Sequence, residues 1–354
     1  MPSSIHRRHA LKSMAAALGA GVVGSGLAIA PPRRAQGAMS RKVRDAVKNG
    51  MEWLVRNQSR SGHWDASNTY RVPMTALAGT AMLCEGSTTT QGKYCKNISR
   101  AADYLIGQSI DKTGLIGIPS DGRYTYGHGF SMLFLSQVLG DEEDEPRREQ
   151  LVKVLTKAVE FSGRAQTDAG GWGYVSSRDG GGFDEGSTTV TQVQGLRGCR
   201  NAGIPVDKKF IDNAIKYIHD CQMADGGICY SSKSRGGSRP AITAAAIATL
   251  FNAGEYKGET VEKMTEYCKR TLSDVNNPQN ASGHWYYTYY YYAQAMYRMG
   301  GDEWDKFSEK LTAKLLRDQA SDGSWSGEVG QIYATALSLT ILQLENAYLP
   351  IYQR

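Results

Sequence analysis

The chain has 354 residues, with 41 Lys and Arg against 35 Asp and Glu, 41% hydrophobic residues and 40 glycines. That is enough apolar material for a sizeable core and too little charge for a disordered chain. The net charge of +6 is concentrated at the N-terminus: residues 1–37 hold Arg7, Arg8, Lys12, Arg33 and Arg34 and no acid, leaving 36 bases against 35 acids in the rest. Overall basicity therefore gives no reason to expect a nucleic-acid partner.

The first element is an address. His6-Arg7-Arg8-His9-Ala10-Leu11-Lys12 precedes a weakly apolar, Gly-rich stretch from Ser13 to Ala30, a pattern similar to a twin-arginine export signal. Ala35-Gln36-Gly37 supplies small residues for cleavage before Ala38. The expectation is a signal over 1–37, a single domain over 38–354, and an exported protein in the periplasm or outside the cell. Membrane contact is expected only through an uncleaved signal, because Met14–Ala30 is at the short limit for a span. The six cysteines form no CxxC pair and have no histidine at zinc-ligand spacing, so neither a metal nor a cofactor is expected. Cys84–Cys95 and Cys221–Cys229 each bracket a loop. They are candidate disulfides that would form after export, the alternative being buried free thiols.

From residue 40 onward the chain repeats itself. Gln58, Gln166, Gln279 and Gln319 each open a Q-x3-G-x-W motif ending at Trp64, Trp172, Trp285 and Trp325. Gln222 leads to Gly226 and Ile228, and Gln108 leads, with one extra residue, to Gly114 and Leu115. Ahead of each Gln lies an amphipathic helical pattern, such as Val47, Met51, Leu54, Val55 or Ala214-Ile215-Lys216-Tyr217-Ile218. After the Gly turn comes a second helix, apolar nearly all round. These are predicted over Met74–Cys84, Gly129–Leu139, Thr189–Cys199, Ala241–Phe251 and Thr335–Leu344, with a further one opened by Trp285; Gly86, Gly140, Gly203, Gly254 and Gly300 follow as helix stops. The first helices look outward and the second are buried. Six such pairs stack and close into an all-α α/α toroid whose inner-helix N-termini converge on one mouth and line a central cavity.

The repeated Gln–Gly–Trp motif resembles that of the triterpene cyclases, and more loosely that of the protein prenyltransferase β subunits, over essentially the whole domain. The resemblance extends to short exported bacterial prenyltransferase/squalene-cyclase repeat proteins. It implies that Gln and Trp are fold residues and that chemistry sits at the N-terminal ends of the inner helices. The DxDD of the cyclases, the Asp/Cys/His zinc ligands of the transferases, the CGEQ thioester of complement-like relatives and Asp-rich magnesium motifs are all missing. Asp141-Glu142-Glu143-Asp144-Glu145, followed by Pro146, reads as a solvated loop.

The mouth nevertheless holds unusual residues. His128, between two glycines, opens the second inner helix and is a candidate acid/base, or else a helix cap. Asp184 and Glu185 open the third, as candidate acids or as N-caps. Tyr126, Arg239 and Tyr333 are candidate ligand contacts. So are Trp285, Tyr286, Tyr289 and Tyr290 within the run Trp285–Tyr292, the last three falling on one helical face with Tyr287 and Tyr291 on the adjoining one. The expected function is binding of an apolar, isoprenoid-like ligand or a partner in the central cavity. The alternatives are a divergent cyclase or transferase using His128 with Asp184 or Glu185, and a carbohydrate-active toroid.

Overall fold

The structure is a computed structural model describing residues 39–281 and 283–353. The leading segment, with its export and cleavage expectations, lies outside the described residues. Among the described residues there are twelve α-helices, and strand pairing is limited to four isolated bridges. No described helix is long and apolar enough to cross a membrane.

Six helices form an outer layer: α1 (Arg41–Arg56), α3 (Cys95–Gly107), α5 (Glu145–Ala165), α7 (Lys208–Cys221), α9 (Glu259–Leu272) and α11 (Gly301–Asp318). Each buries one stripe; in α1 it is Val43, Val47, Met51 and Leu54, with Arg44, Asp45 and Lys48 exposed. The other six form an inner ring: α2 (Arg71–Cys84), α4 (Tyr124–Asp141), α6 (Gly186–Asn201), α8 (Pro240–Ala253), α10 (Trp285–Met299) and α12 (Gln331–Leu342). They are enclosed on all sides; every residue of α8 from Ala241 to Asn252 is buried. Each inner helix packs on the next, and α12 packs on α2, so the ring is closed. The tightest seam is α4 on α6, where a Cβ on Gly129 would meet Thr191 Oγ1 at 2.5 Å.

The repeated motif is a stapled turn. Gln58 Nε2 donates to Gly62 O at 2.8 Å and to Asn97 O, in the next outer helix, at 3.0 Å. Gln166 bridges Gly170 and Phe210, Gln222 bridges Gly226 and Thr260, and Gln319 bridges Gly323 and Ala46. The turn glycine has positive φ, +94° at Gly62, and a Cβ there would sit 2.3 Å from Arg100 O. The indoles of Trp64, Trp172 and Trp325 each donate at 2.8 Å to the carbonyl ten residues earlier. A threonine from the following inner helix completes the turn: Thr75, Thr189, Thr243 and Thr335 accept from the backbone N–H of Trp64, Trp172, Ile228 and Trp325.

Four of the inner helices, α2, α4, α6 and α12, start three to five residues earlier than the apolar pattern predicts, whereas α8 starts one residue earlier and α10 at the predicted Trp285. The acidic run is not simply a solvated loop: Glu142 is buried, accepts from Thr89 at 3.0 Å and from the Asp144 N–H at 3.0 Å, and Asp144 caps α5. All six cysteines are free. Cys221 and Cys229 flank the Gln222–Ile228 bridge and share a backbone hydrogen bond of 3.1 Å.

The interior of the ring is occupied below its mouth. Gln194 of α6 donates to Gln294 of α10 at 2.7 Å, across the inside of the ring. The chain end Pro350–Tyr352 packs against α6, with the Tyr352 and Tyr290 hydroxyls 2.7 Å apart and Arg298 donating to Ile351 O. The central cavity expected from the sequence is therefore filled below the mouth by glutamine, tyrosine and the C-terminal tail.

Candidate functional site

The mouth is built by the loops that lead into the inner helices. Glu185 is its central carboxylate. It precedes α6 and caps it: Oε2 accepts from Ser187 N–H at 2.9 Å and Ser187 Oγ at 2.6 Å, and Oε1 from Thr188 N–H at 2.6 Å. The Tyr126 hydroxyl adds a fourth donor at 3.3 Å and also bonds Ser187 Oγ. Burial pushes the Glu185 carboxyl above its usual range, against the pull of the Ser187 and Thr188 donors. Asp184 is enclosed as well, and both its oxygens are taken by the next loop: Oδ1 by Ser232 N–H at 2.8 Å and Ser231 Oγ at 3.2 Å, Oδ2 by Ser232 Oγ at 2.6 Å. Its geometry anchors the loop that carries Tyr230.

Tyr287 donates to Ser187 O at 3.2 Å from the opposite wall and stacks edge-on with Tyr291 at 4.8 Å. Tyr333 and Tyr126 are close enough to these two for each ring to raise the phenol pKa of another, after burial as the main cause. The inward residues of α10 are thus Tyr287 and Tyr291, with Tyr290 meeting the tail inside the ring, whereas Tyr286 and Tyr289, grouped with Tyr290 from the sequence, face neighbouring repeats. Tyr286 donates to Ser326 O, Tyr289 to Leu272 O, and Trp285 to Val275 O beneath the Lys314 ammonium, all between repeats. Tyr290 turns toward the C-terminal tail.

His128 does not reach the mouth. It is the fifth residue of α4 and points at the outer layer: Nδ1 accepts from Ile116 N–H at 3.0 Å, and Nε2 faces Ala158 O at 3.1 Å and Ser162 Oγ at 3.2 Å. It takes the place that threonine holds in four other repeats, with Ile116 where Trp stands. Complete burial lowers its pKa to about 4, so the ring is neutral at pH 7, with its proton on Nε2.

Four aromatic side chains form a half-buried row along one side of the mouth. Ring centroids step from Tyr126 to Tyr174 at 5.9 Å, to Phe183 at 6.0 Å and to Tyr230 at 6.3 Å. The Tyr174 and Tyr230 hydroxyls hydrogen-bond each other. Exposed arginines flank the row, Arg123 at 4.6 Å over Tyr174 and Arg239 at 5.2 Å over Tyr230. Tyr126 and Arg239 were among the sequence candidates; Tyr174, Phe183 and Tyr230 were not. Two of them stand at one register, each two residues after the Trp-position residue, in Trp172-Gly173-Tyr174 and Ile228-Cys229-Tyr230. The loop into α2, the helix packed beside α4, is strained: Ser67, Asn68 and Tyr70 have φ of 52°, 66° and 51°. No cluster of three or more His, Cys, Asp and Glu side chains is placed to hold a metal among the described residues.

No protein-family model and no curated protein matches the sequence. Solved structures do. A type II terpene cyclase, MstE, from Scytonema, in complex with merosterolic acid A, is 14% identical; the match covers 86% of this chain and 97% of that one, with a TM-score of 0.61. The GH76A α-1,6-mannanase from Salegentibacter sp. HEL1_6 is 9% identical over 86% and 99%, with a TM-score of 0.63. The chain is an α/α toroid. At these identities the likeness extends to the toroid fold alone, and the toroid's neighbours include both cyclases and glycan-processing enzymes.

Glu185 is predicted to hold the mouth together. Replacing it with Ala leaves two buried N–H groups of α6 without partners, and should cost about 1–3 kcal/mol of stability. Glu185→Gln, which retains an acceptor oxygen, should cost less. Urea denaturation of the two variants measures the difference, and equal losses would remove the capping role.

Proposed function

We propose that the protein binds a carbohydrate chain across the mouth of the toroid. The observation that carries this reading is the Tyr126–Tyr174–Phe183–Tyr230 row. Aromatic faces stack on the apolar faces of sugar rings, phenol hydroxyls and arginine donors meet the sugar hydroxyls, and the ring interior below is filled. Structural neighbours of the toroid that include an α-1,6-mannanase and a glycosidase are compatible with it. Hydrolysis by the common route needs two carboxyl groups flanking the scissile bond. Glu185 is committed to capping α6, and the oxygens of Asp184 are held by Ser231 and Ser232, so the reading is binding without turnover.

A second reading, an apolar isoprenoid-like ligand, draws on the inward Tyr287, Tyr291 and Tyr333. A cyclase or transferase based on His128 with Asp184 or Glu185 is less well supported, because His128 and Asp184 are enclosed and fully bonded and Glu185 caps α6.

Titration of the purified protein with α-1,6-mannotetraose, cellotetraose and chitotetraose, followed by intrinsic fluorescence, tests the proposal. At least one should bind, and Tyr174→Ala and Tyr230→Ala should each weaken it roughly tenfold, or about 1.4 kcal/mol, without release of reducing sugar. Silence across the panel overturns the carbohydrate reading. A stoichiometric isoprenoid in an organic extract of the protein from its native host would select the apolar one.

A further inference from the structure

The face opposite the mouth carries a second cavity, of about 430 Å3, between the outer helix α7 and the C-terminal ends of α6 and α8. Its size falls within the roughly 300–1,000 Å3 of small-molecule sites. Val206, Ile211, Ile215 and Ala253 form its apolar wall. It continues inward to a recess of about 10 Å3, room for a single polar atom, lined by Leu196, Arg197, Arg200 and Asn252.

Three observations mark this as a site. The first is Asn252, buried at 4% exposure: its Nδ2 donates to Ala248 O at 2.7 Å, but its Oδ1 is enclosed without a partner. The second is unbalanced positive charge. The Arg197 and Arg200 guanidiniums have no carboxylate partner among the described residues. Of the lining acids, Asp212 pairs with the lining Lys208 at 2.6 Å and Glu255 bonds His219 at 2.9 Å, which leaves two guanidiniums against one carboxylate. The negative ends of α6 and α8 favour cations here but supply only about half a charge each. The third is Arg298 on the neighbouring α10, whose pKa is lowered chiefly by burial and also by repulsion from Arg197.

We propose that this cavity binds an alkyl phosphate monoester, its chain on the apolar wall and its head group at the mouth of the recess, with one P–O–H reaching in toward Asn252 Oδ1. The chemistry follows from the lining. Two guanidiniums match the anionic oxygens of a phosphate. Asn252 Oδ1 needs a donor, which a singly protonated phosphate supplies as P–O–H and a sulfate does not. Inorganic phosphate would leave the apolar wall uncovered.

Isothermal titration of the full chain near pH 6, where a phosphate monoester is about half singly protonated, tests this with decyl phosphate, decyl sulfate, decanol and inorganic phosphate, each below its micelle concentration. One equivalent of decyl phosphate should bind, several-fold tighter than decyl sulfate and at least tenfold tighter than inorganic phosphate or decanol. Arg197→Ala with Arg200→Ala should weaken it at least tenfold. Ile215→Trp, which fills the cavity and keeps both arginines, should abolish it. Asn252→Ala should close the gap between phosphate and sulfate. Unchanged thermal melts keep these variants interpretable, and Tyr230→Ala at the mouth should leave decyl phosphate binding unaltered. Equal binding of sulfate and phosphate that survives Ile215→Trp would overturn the site, as would binding only to anionic phospholipid vesicles and not to the soluble chain.

Discussion

Acidification from pH 7 to pH 4 should remove roughly 3 kcal/mol of stability through one side chain, His128. Its pKa is about 4 in the folded protein against an ordinary value of 6.5, so between those limits the unfolded chain binds a proton that the folded chain refuses. The contribution is full above pH 6.5 and is lost as pH falls through 4. The main cause is complete burial; in addition, protonation of Nδ1 would turn the acceptor of the Ile116 N–H into a second donor inside the wall between α4 and α5. His128→Thr installs the residue that the other repeats use. It should restore the bond to Ile116 but lose those to Ala158 and Ser162 and the edge contact with Phe161 at 4.7 Å. The variant should be about 1–3 kcal/mol less stable at pH 7 and converge with the parent near pH 4. Urea midpoints across that range decide it. Parallel curves would mean that His128 is not the titrating group.

The same residue shows where sequence reading stops. Repeat phase, the outer and inner character of the helices and closure into a ring were all legible, because they depend on period and on hydrophobic face. Side-chain direction at the mouth was not. His128 between two glycines looks like a helix-opening residue when the apolar run is taken to start at Gly129. Once α4 begins at Tyr124, His128 lies one turn inside and faces the outer layer. On α10 the periodicity placed Tyr287 with Tyr291, but which tyrosines look inward depends on partners distant in sequence, Ser187 a hundred residues away and Tyr352 of the tail. Asp184 and Glu185 were seen as a pair of acids; only the packing shows that one ties down the Ser231–Ser232 loop while the other caps α6. The aromatic row was missed because its members come from separate loops, although the shared register of Tyr174 and Tyr230 was there to be read.

Closure of the ring gives the second large effect. The first and last repeats meet where α1 packs on α11 and α12, and the last copy of the repeated turn is built on the first described helix. Gln319 reaches Ala46 O at 2.9 Å, Trp53 donates to Asp322 at 3.1 Å, and Gly50 allows Trp325 so close that a Cβ would sit 2.9 Å from the indole. Trp325→Ala should cost about 3–5 kcal/mol, as for any fully buried Trp, and Trp172→Ala a similar amount. The two should differ in where the damage appears. Trp172 lies within a stretch held on both sides by covalently adjacent repeats, so its loss should weaken the whole domain evenly. Trp325 sits on the one seam that no short loop spans, so its loss should free α1 first. Hydrogen exchange would then show Val43–Leu54 opening well below the global unfolding free energy in Trp325→Ala but not in Trp172→Ala. Uniform exchange in both variants would mean that the seam is no weaker than the rest of the ring, and that the six repeats share their stability as a single cooperative unit.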